Sequence, residues 1–252
     1  MKKNIVIVGY PKSGTTWIAR LVAELVECPL EGAWGFESVT TAYEEGRKRT
    51  SDFICYKSHH TFNEIYSVKK GIYKIIYVVR DPRDIVISSL YYFNISNPTL
   101  KKIVPFASSY KLFDKIVNMF LSLKSKKIAM INMVLNGDST INRWCKVSWK
   151  DHFMPYKKNN VLFVRYEDML SNPLNECEII LNELKILKSR KHILNSIENQ
   201  EFNNKKKLNN ANNKLMRKGA SNYWLNEFKD FEKDVFLKKL KNELLTFNYK
   251  LK

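Results

Sequence analysis

The chain has 252 residues, 44% hydrophobic and 27% charged, enough for one sizeable core and too few for several, so a single domain over residues 1–252 is expected. Lys and Arg number 43 against 25 Asp and Glu, a formal charge of +18, which favours anionic partners such as nucleotides, nucleic acid or acidic surfaces without choosing among them. No apolar run approaches the roughly 18 residues of a membrane span, and Ile5–Val8 is too short for the core of a signal peptide, so an integral membrane protein is excluded and a cytoplasmic location is expected.

In chain order, Asn4–Val8 (NIVIV) is a β-branched run that stops at a Gly/Pro/Ser-rich turn. Trp17, Ile18, Leu21, Val22 and Leu25 then recur at helical spacing, predicting strand, loop, helix. Ser51–Lys57 and Ile72–Val79 are two further β-rich runs that read as buried strands. Just past Arg80, Asp81 offers a capping side chain, Pro82 suits the first helical position and Asp84 supplies first-turn charge, ahead of apolar Ile85, Val86 and Leu90. Thr99–Tyr156 carries amphipathic helical stretches rich in Lys and aromatics. Val161–Val164 predicts another strand, and Ser171-Asn172-Pro173 introduces a helical pattern at Leu174, Ile179, Ile180, Leu184 and Leu187. Lys185–Lys218 holds ten basic residues against Glu198 and Glu201 and reads as a mobile loop. Phe228–Tyr249 predicts a closing amphipathic helix with Phe231, Val235, Leu240, Leu244 and Leu245 as its contacts. Strands alternating with helices imply an α/β fold with a mostly parallel central sheet, helices on both faces and ligands at the carboxyl ends of the strands. Cys28, Cys55, Cys145 and Cys177 lie far apart with no Cys-x-x-Cys pair, so they read as reduced structural thiols.

Gly9–Thr16 (GYPKSGTT), between a strand and a helix, has the context of a phosphate-binding P-loop. In G-x-x-x-x-G-K-[ST] a lysine follows the second glycine. Here Thr15 holds that place and the lysine is Lys12, inside the loop. Backbone N–H groups of Ser13, Gly14, Thr15 and Thr16 with the helix N-terminus still form an anion nest, and Lys12 reaches a far oxygen.

PKSGTTW (Pro11–Trp17) resembles the 5′-phosphosulfate loop of the cytosolic-type sulfotransferases, which use 3′-phosphoadenosine 5′-phosphosulfate (PAPS). RDPRDIVIS (Arg80–Ser88) is similar to that family's 3′-phosphate segment, which implies phosphate contact by Arg80 and Ser88. YEDMLSNP (Tyr166–Pro173) resembles the segment whose tyrosine contacts the adenine side, although Tyr166 taken alone reads equally as a core aromatic. RKGASNYW (Arg217–Trp224) is similar to the late signature in which Arg217, Lys218 and Gly219 clamp the 3′-phosphate, with Asn222 and Tyr223 replacing the family's Gly and Asp. Lys57-Ser58-His59-His60 resembles the Lys-Thr-His segment, which selects His59 as catalytic residue and Lys57 as its cationic partner; His60 is the adjacent alternative.

The resemblance implies transfer of a sulfuryl group from PAPS to a hydroxyl or amine, with adenosine 3′,5′-bisphosphate as product and no metal. His59, near its ordinary pKa, takes the acceptor's proton, while Lys12 and Lys57 stabilise bridging and departing oxygens. Two other readings are a P-loop small-molecule kinase, opposed by the place of Lys12, and a basic nucleic-acid-binding module around Lys205–Lys207, opposed by the lack of a reading helix or aromatic RNA motif. Peripheral membrane contact by Thr99–Leu135 is compatible with catalysis, against core-packing helices with solvated lysines. The acceptor, small molecule or glycan, is expected among the variable loops Glu31–Arg49, Asn94–Asp138 and Leu187–Asn213, which name no substrate.

Overall fold

The computed structural model describes residues 2–35, 45–93, 123–200 and 220–252. Its strands are β1 (Lys3–Val8), β2 (Leu30–Ala33), β3 (Phe53–Ser58), β4 (Lys74–Val79) and β5 (Leu162–Arg165). Its α-helices are α1 (Thr15–Val26), α2 (Phe62–Ile65), α3 (Pro82–Leu90), α4 (Leu123–Asn136), α5 (Trp149–Lys158), α6 (Tyr166–Ser171), α7 (Pro173–Leu184), α8 (Arg190–Asn199), α9 (Trp224–Glu227) and α10 (Asp230–Thr246). Two compact units emerge, Met1–Arg80 with His152–Ser221, and Asp81–Asp151 with Asn222–Lys252.

The first unit contains the whole sheet, five parallel strands in the order β2-β3-β1-β4-β5. β1 lies in the middle, Ile5 pairing with Cys55 on one side and Lys74 on the other, so the loop leaving Val8 opens between two later strands. Side chains alternate across the sheet. Ile5, Ile7, Cys55, Ile76, Val78 and Val164 join one buried cluster with Ile18, Val22 and Leu25 of α1, Ile180 and Leu184 of α7 and Ile193 of α8. Truncating one such isoleucine to alanine costs about 2–5 kcal/mol. On the opposite face Tyr77 stacks on Phe163 at 4.7 Å and tilts against Tyr156 of α5 at 5.0 Å. Helices therefore cover both faces, as expected from the alternating pattern.

In the second unit α3 starts as the sequence predicts. Asp81 accepts a hydrogen bond from Arg83 N, and Pro82 occupies the first turn. Asp81 also pairs with the fully buried Arg83 side chain, Nη2 to Oδ2 at 2.7 Å. The guanidinium lies 3.4 Å from the centre of the Trp224 ring and donates to the carbonyls of Lys250 and Leu251. Asp84 accepts from the backbone N–H groups of Asn222 and Trp224 at 2.6 and 3.1 Å.

Four local expectations need correction. Leu30–Ala33 is an edge strand within a stretch read as loop. Arg190–Asn199, read as part of a mobile loop, is a helix because Ser189 caps it by accepting from His192 N and Ile193 packs into the core. Ile179 is 40% and Leu187 95% exposed, since α7 turns its other face inward and ends at Leu184 in a left-handed Lys185. In α10 the buried residues are Glu232, Phe236, Leu240 and Leu244, while Phe231, Val235 and Leu245 face solvent. There Glu232 is drawn inward by Lys127 at 2.6 Å, and Leu240 leaves helical geometry at φ −134°, which shifts the buried stripe.

Candidate active site

The loop after β1 is shaped by close approach. A Cβ on Gly9 would meet Val78 O at 2.6 Å and Thr15 Cγ2 at 2.7 Å. Gly14 has φ +90°, and a Cβ there would sit 2.4 Å from the Tyr166 ring, so both positions require glycine. Lys12 itself is left-handed at φ 71°, a strained conformation for lysine and one that clusters at ligand-binding loops. Ser13 N donates to Tyr10 O at 3.1 Å, closing the turn. Gly14 is the N-cap of α1 without a capping side chain, and no acid lies in the first turn. The N–H groups of Thr15, Thr16 and Trp17 begin the helix beyond it, in the arrangement that binds anions. Two buried polar atoms here, Ser13 Oγ and Arg80 Nε, lack a hydrogen-bond partner, as expected of a site built for a ligand.

Three cations belong to this part of the first unit. Burial, then Lys57, then Arg80, lower Lys12 to about 7, and burial lowers Lys57 to about 8. Arg80 directly follows β4 and donates to Lys12 O and Ala220 O, both at 3.2 Å, with its guanidinium 4.3 Å from the centre of the Tyr166 ring. The salt bridge to Asp81 that sequence proximity permits does not form, because Asp81 is committed to Arg83. Trp17 meets Tyr166 edge to face at 5.7 Å, so Trp17, Arg80, Gly14 and Tyr166 form one aromatic and cationic group beside the loop.

His59 follows β3. Its Nδ1 lies 2.6 Å from Gly9 O. A carbonyl only accepts, so Nδ1 carries the hydrogen and Nε2 of the neutral ring holds the free lone pair. Burial first, then the Lys57 charge, hold the imidazole well below its usual pKa, with the Gly9 bond opposing them. The expectation of an ordinary histidine pKa is thereby corrected: His59 is neutral through the neutral pH range. His60 turns the other way, its Nδ1 2.8 Å from Ser58 Oγ, in keeping with the alternation that puts Lys57 and His59 together.

Behind this segment stand residues that the sequence reading missed. Tyr77 O–H donates to His152 Nδ1 at 2.8 Å, His152 Nε2–H donates to His59 O at 3.1 Å, and Tyr156 O–H donates to His60 O at 2.8 Å. The one sequence signal for them is the four-residue spacing of His152 and Tyr156, which puts both on one face of α5.

Ser88 is half-buried on α3 in the second unit, and Arg217, Lys218 and Gly219 lie outside the described residues. Of the acceptor loops, residues 36–44, 94–122 and 201–213 are likewise outside them. The stretch considered for membrane contact lies partly there too. Its described part is α4, where Met130, Met133 and Val134 are buried. Among the described residues no helix is long and apolar enough to cross a membrane, and no three His, Cys, Asp or Glu side chains are grouped as a metal site. All four cysteines are buried and free.

A family model described as "Sulfotransferase domain" matches residues 2–245. The chain is 26% identical over 280 residues to mouse sulfotransferase 1 family member D1, covering 97% of this chain and 85% of that protein. It is 26% identical over 275 residues to rat sulfotransferase 2A1, covering 97% and 86%. Among solved structures, mouse sulfotransferase SULT7A1 complexed with PAP aligns with a TM-score of 0.65 at 23% identity, over 96% of this chain and 86% of that one. Retinol dehydratase in a complex with retinol and PAP aligns with a TM-score of 0.59 at 16% identity, over 97% and 82%.

Proposed function

Because the chain belongs to the sulfotransferase domain family, we propose that it moves a sulfuryl group from PAPS to the hydroxyl or amine of a small acceptor, with His59 as general base. The observation that carries this reading is the bond from His59 Nδ1–H to Gly9 O, the first residue of the phosphate loop, which leaves Nε2 unprotonated. The PAP-containing solved structures of the same fold support the donor, and the retinol bound by retinol dehydratase supports a small hydroxyl-bearing acceptor.

The residues present fit such a donor. The glycine cradle, the N-terminus of α1 and the unpartnered Ser13 hydroxyl suit a 5′-phosphosulfate, Trp17 and Tyr166 suit the adenine side, and Arg80 with its unpartnered Nε suits the 3′-phosphate. When bound, PAPS supplies the sulfuryl group and is left as adenosine 3′,5′-bisphosphate. His59 Nε2 accepts the acceptor's proton as the acceptor oxygen or nitrogen bonds to sulfur. The Lys12 and Lys57 ammonium groups oppose the negative charge that develops on the departing and transferring oxygens. A kinase reading lacks the lysine after the second loop glycine.

The test is an acceptor screen with labelled PAPS, followed by kinetics of single variants. His59→Ala lowers kcat by about 10²–10⁴ with nucleotide affinity nearly unchanged, and His60→Ala stays within a few-fold of the parent. Loss of turnover in His60→Ala with His59→Ala active reverses the assignment of the base.

A further inference from the structure

The reading of His59 as base leaves unexplained why a second, fully buried histidine sits directly behind it. His152 is 0% exposed and its ring is hydrogen-bonded at both nitrogens, to Tyr77 Oη at 2.8 Å and to His59 O at 3.1 Å. The second partner decides the chemistry of the ring. His59 O is a carbonyl and only accepts, so His152 Nε2 carries the hydrogen, Nδ1 is the acceptor, and the Tyr77 hydroxyl is the donor. Burial lowers His152 to about 4 against the opposing bond to His59 O, so the ring is neutral at every pH where the enzyme is assayed and neither donates nor takes a proton. It therefore acts through its place.

We propose that Tyr77 and His152 form a fixed hydrogen-bonded strut that holds the His59 peptide, making His152 a positioning residue for the base. This rests on the reading of His59 above. Tyr77 is buried on β4, paired with Val8 of β1 and Phe163 of β5, and Phe163 and Tyr156 pack against its ring, so the strut starts from a strand held on both sides. His152 is held edge-on by Tyr10 at 5.7 Å and stacked by Tyr156 at 6.1 Å. The far end grips the peptide carbonyl of His59 itself, while Gly9 N donates to Ser58 O at 3.3 Å and His59 Nδ1–H donates to Gly9 O. Tyr156 O–H adds a second grip on the next carbonyl, at His60. Two consecutive carbonyls past the end of β3 are thus held by α5. With the His59 peptide fixed in this way, the Nδ1–H bond to Gly9 O sets the direction of the ring. A base held within a fraction of an ångström of its reacting geometry loses rate steeply when it is released.

Kinetics of three variants in two backgrounds decide the matter. His152→Phe keeps the ring volume and removes both hydrogen bonds. His152→Gln keeps a donor N–H able to reach His59 O. Expected for His152→Phe is a fall in kcat of about 10-fold or more with the KM for PAPS unchanged, and for His152→Gln a recovery to within about 3-fold of the parent. In a His59→Ala background neither substitution lowers the residual rate further, since the strut then has no base to hold. A parental kcat in His152→Phe overturns the proposal. So does an equal further loss in the His59→Ala background, because His152 then acts on something other than His59. If His152→Phe fails to fold, Tyr77→Phe replaces it: a fall of about 3-fold or more that vanishes in the His59→Ala background supports the strut, and a parental rate overturns it. A fully active His59→Ala refutes the base itself and is read from that variant alone, so the two failures are told apart.

Discussion

With Lys12 lowered to about 7 and Lys57 to about 8, seating the nucleotide against them, as proposed above, makes its binding a protonation reaction. The anionic groups of adenosine 3′,5′-bisphosphate, seated against Lys12 and Lys57, restore both to ordinary lysine behaviour, so each molecule bound draws in whatever protons the free lysines lack. At pH 6 that is close to none. At pH 7.5 it is about one proton, mostly from Lys12, and at pH 8.5 about 1.7. The sign follows directly: binding takes up protons, so affinity falls as pH rises through the free-state pKa values. Integrated from pH 7 to pH 9, above the phosphate ionisations, Lys12 contributes about 1.7 log units and Lys57 about 1.0, a weakening of roughly 500-fold. Lys12→Met removes the larger share and leaves a fall of about 10-fold over the same range. Isothermal calorimetry in two buffers of different ionisation enthalpy gives the proton count, and titrations at five pH values give the slope. A dissociation constant that stays flat from pH 7 to 9, or a slope unchanged in Lys12→Met, refutes the assignment of these lysines to the bound anion.

Gly14→Ala places a methyl group within the Tyr166 ring and forces alanine to φ +90°, so it costs about 1–3 kcal/mol by chemical denaturation and abolishes bisphosphate binding by calorimetry. His152, neutral when folded down to about pH 4, binds a proton in the unfolded chain near pH 6.5. Stability is accordingly complete above pH 6.5 and lost by about 3 kcal/mol as pH falls to 4, a slope that His152→Gln flattens in urea titrations at stepped pH. Arg83→Met removes the ion pair of the buried Asp81 carboxylate and the donors to two backbone carbonyls and lowers unfolding free energy by about 3–5 kcal/mol, measured by guanidinium denaturation.

Features set by local chemistry were legible in the sequence. The strands β1, β3, β4 and β5, the glycines at Gly9 and Gly14 and the Asp81-Pro82 start of α3 follow from runs a few residues long whose physics is local. What escaped depends on distant partners. The spacing of Phe231 and Val235 promises a buried stripe, yet the Lys127–Glu232 pair and the kink at Leu240 turn that stripe outward. Residues His59 and Lys57 could be named, but the direction of the His59 pKa is set by burial and by a lysine two residues away, which composition does not reveal. The strut from Tyr77 through His152 joins β4 to α5 across 75 residues of chain and carries no motif at all. Arg80 was found by its segment, while its stacking on Tyr166 needed β4 and β5 side by side.

The buried Arg83 guanidinium reads the segment after α10 by its backbone alone. Its two contacts there are the carbonyls of Lys250 and Leu251, groups that every amino acid carries, so the side chains at those positions are free to vary while the peptide bonds must be present. Removing those two peptide groups would take the carbonyl acceptors from a buried guanidinium that keeps only Asp81 and the Trp224 ring, a larger disturbance than a substitution at the same sites. Substitutions at Lys250 and Leu251 are thus tolerated where deletion of that segment is not.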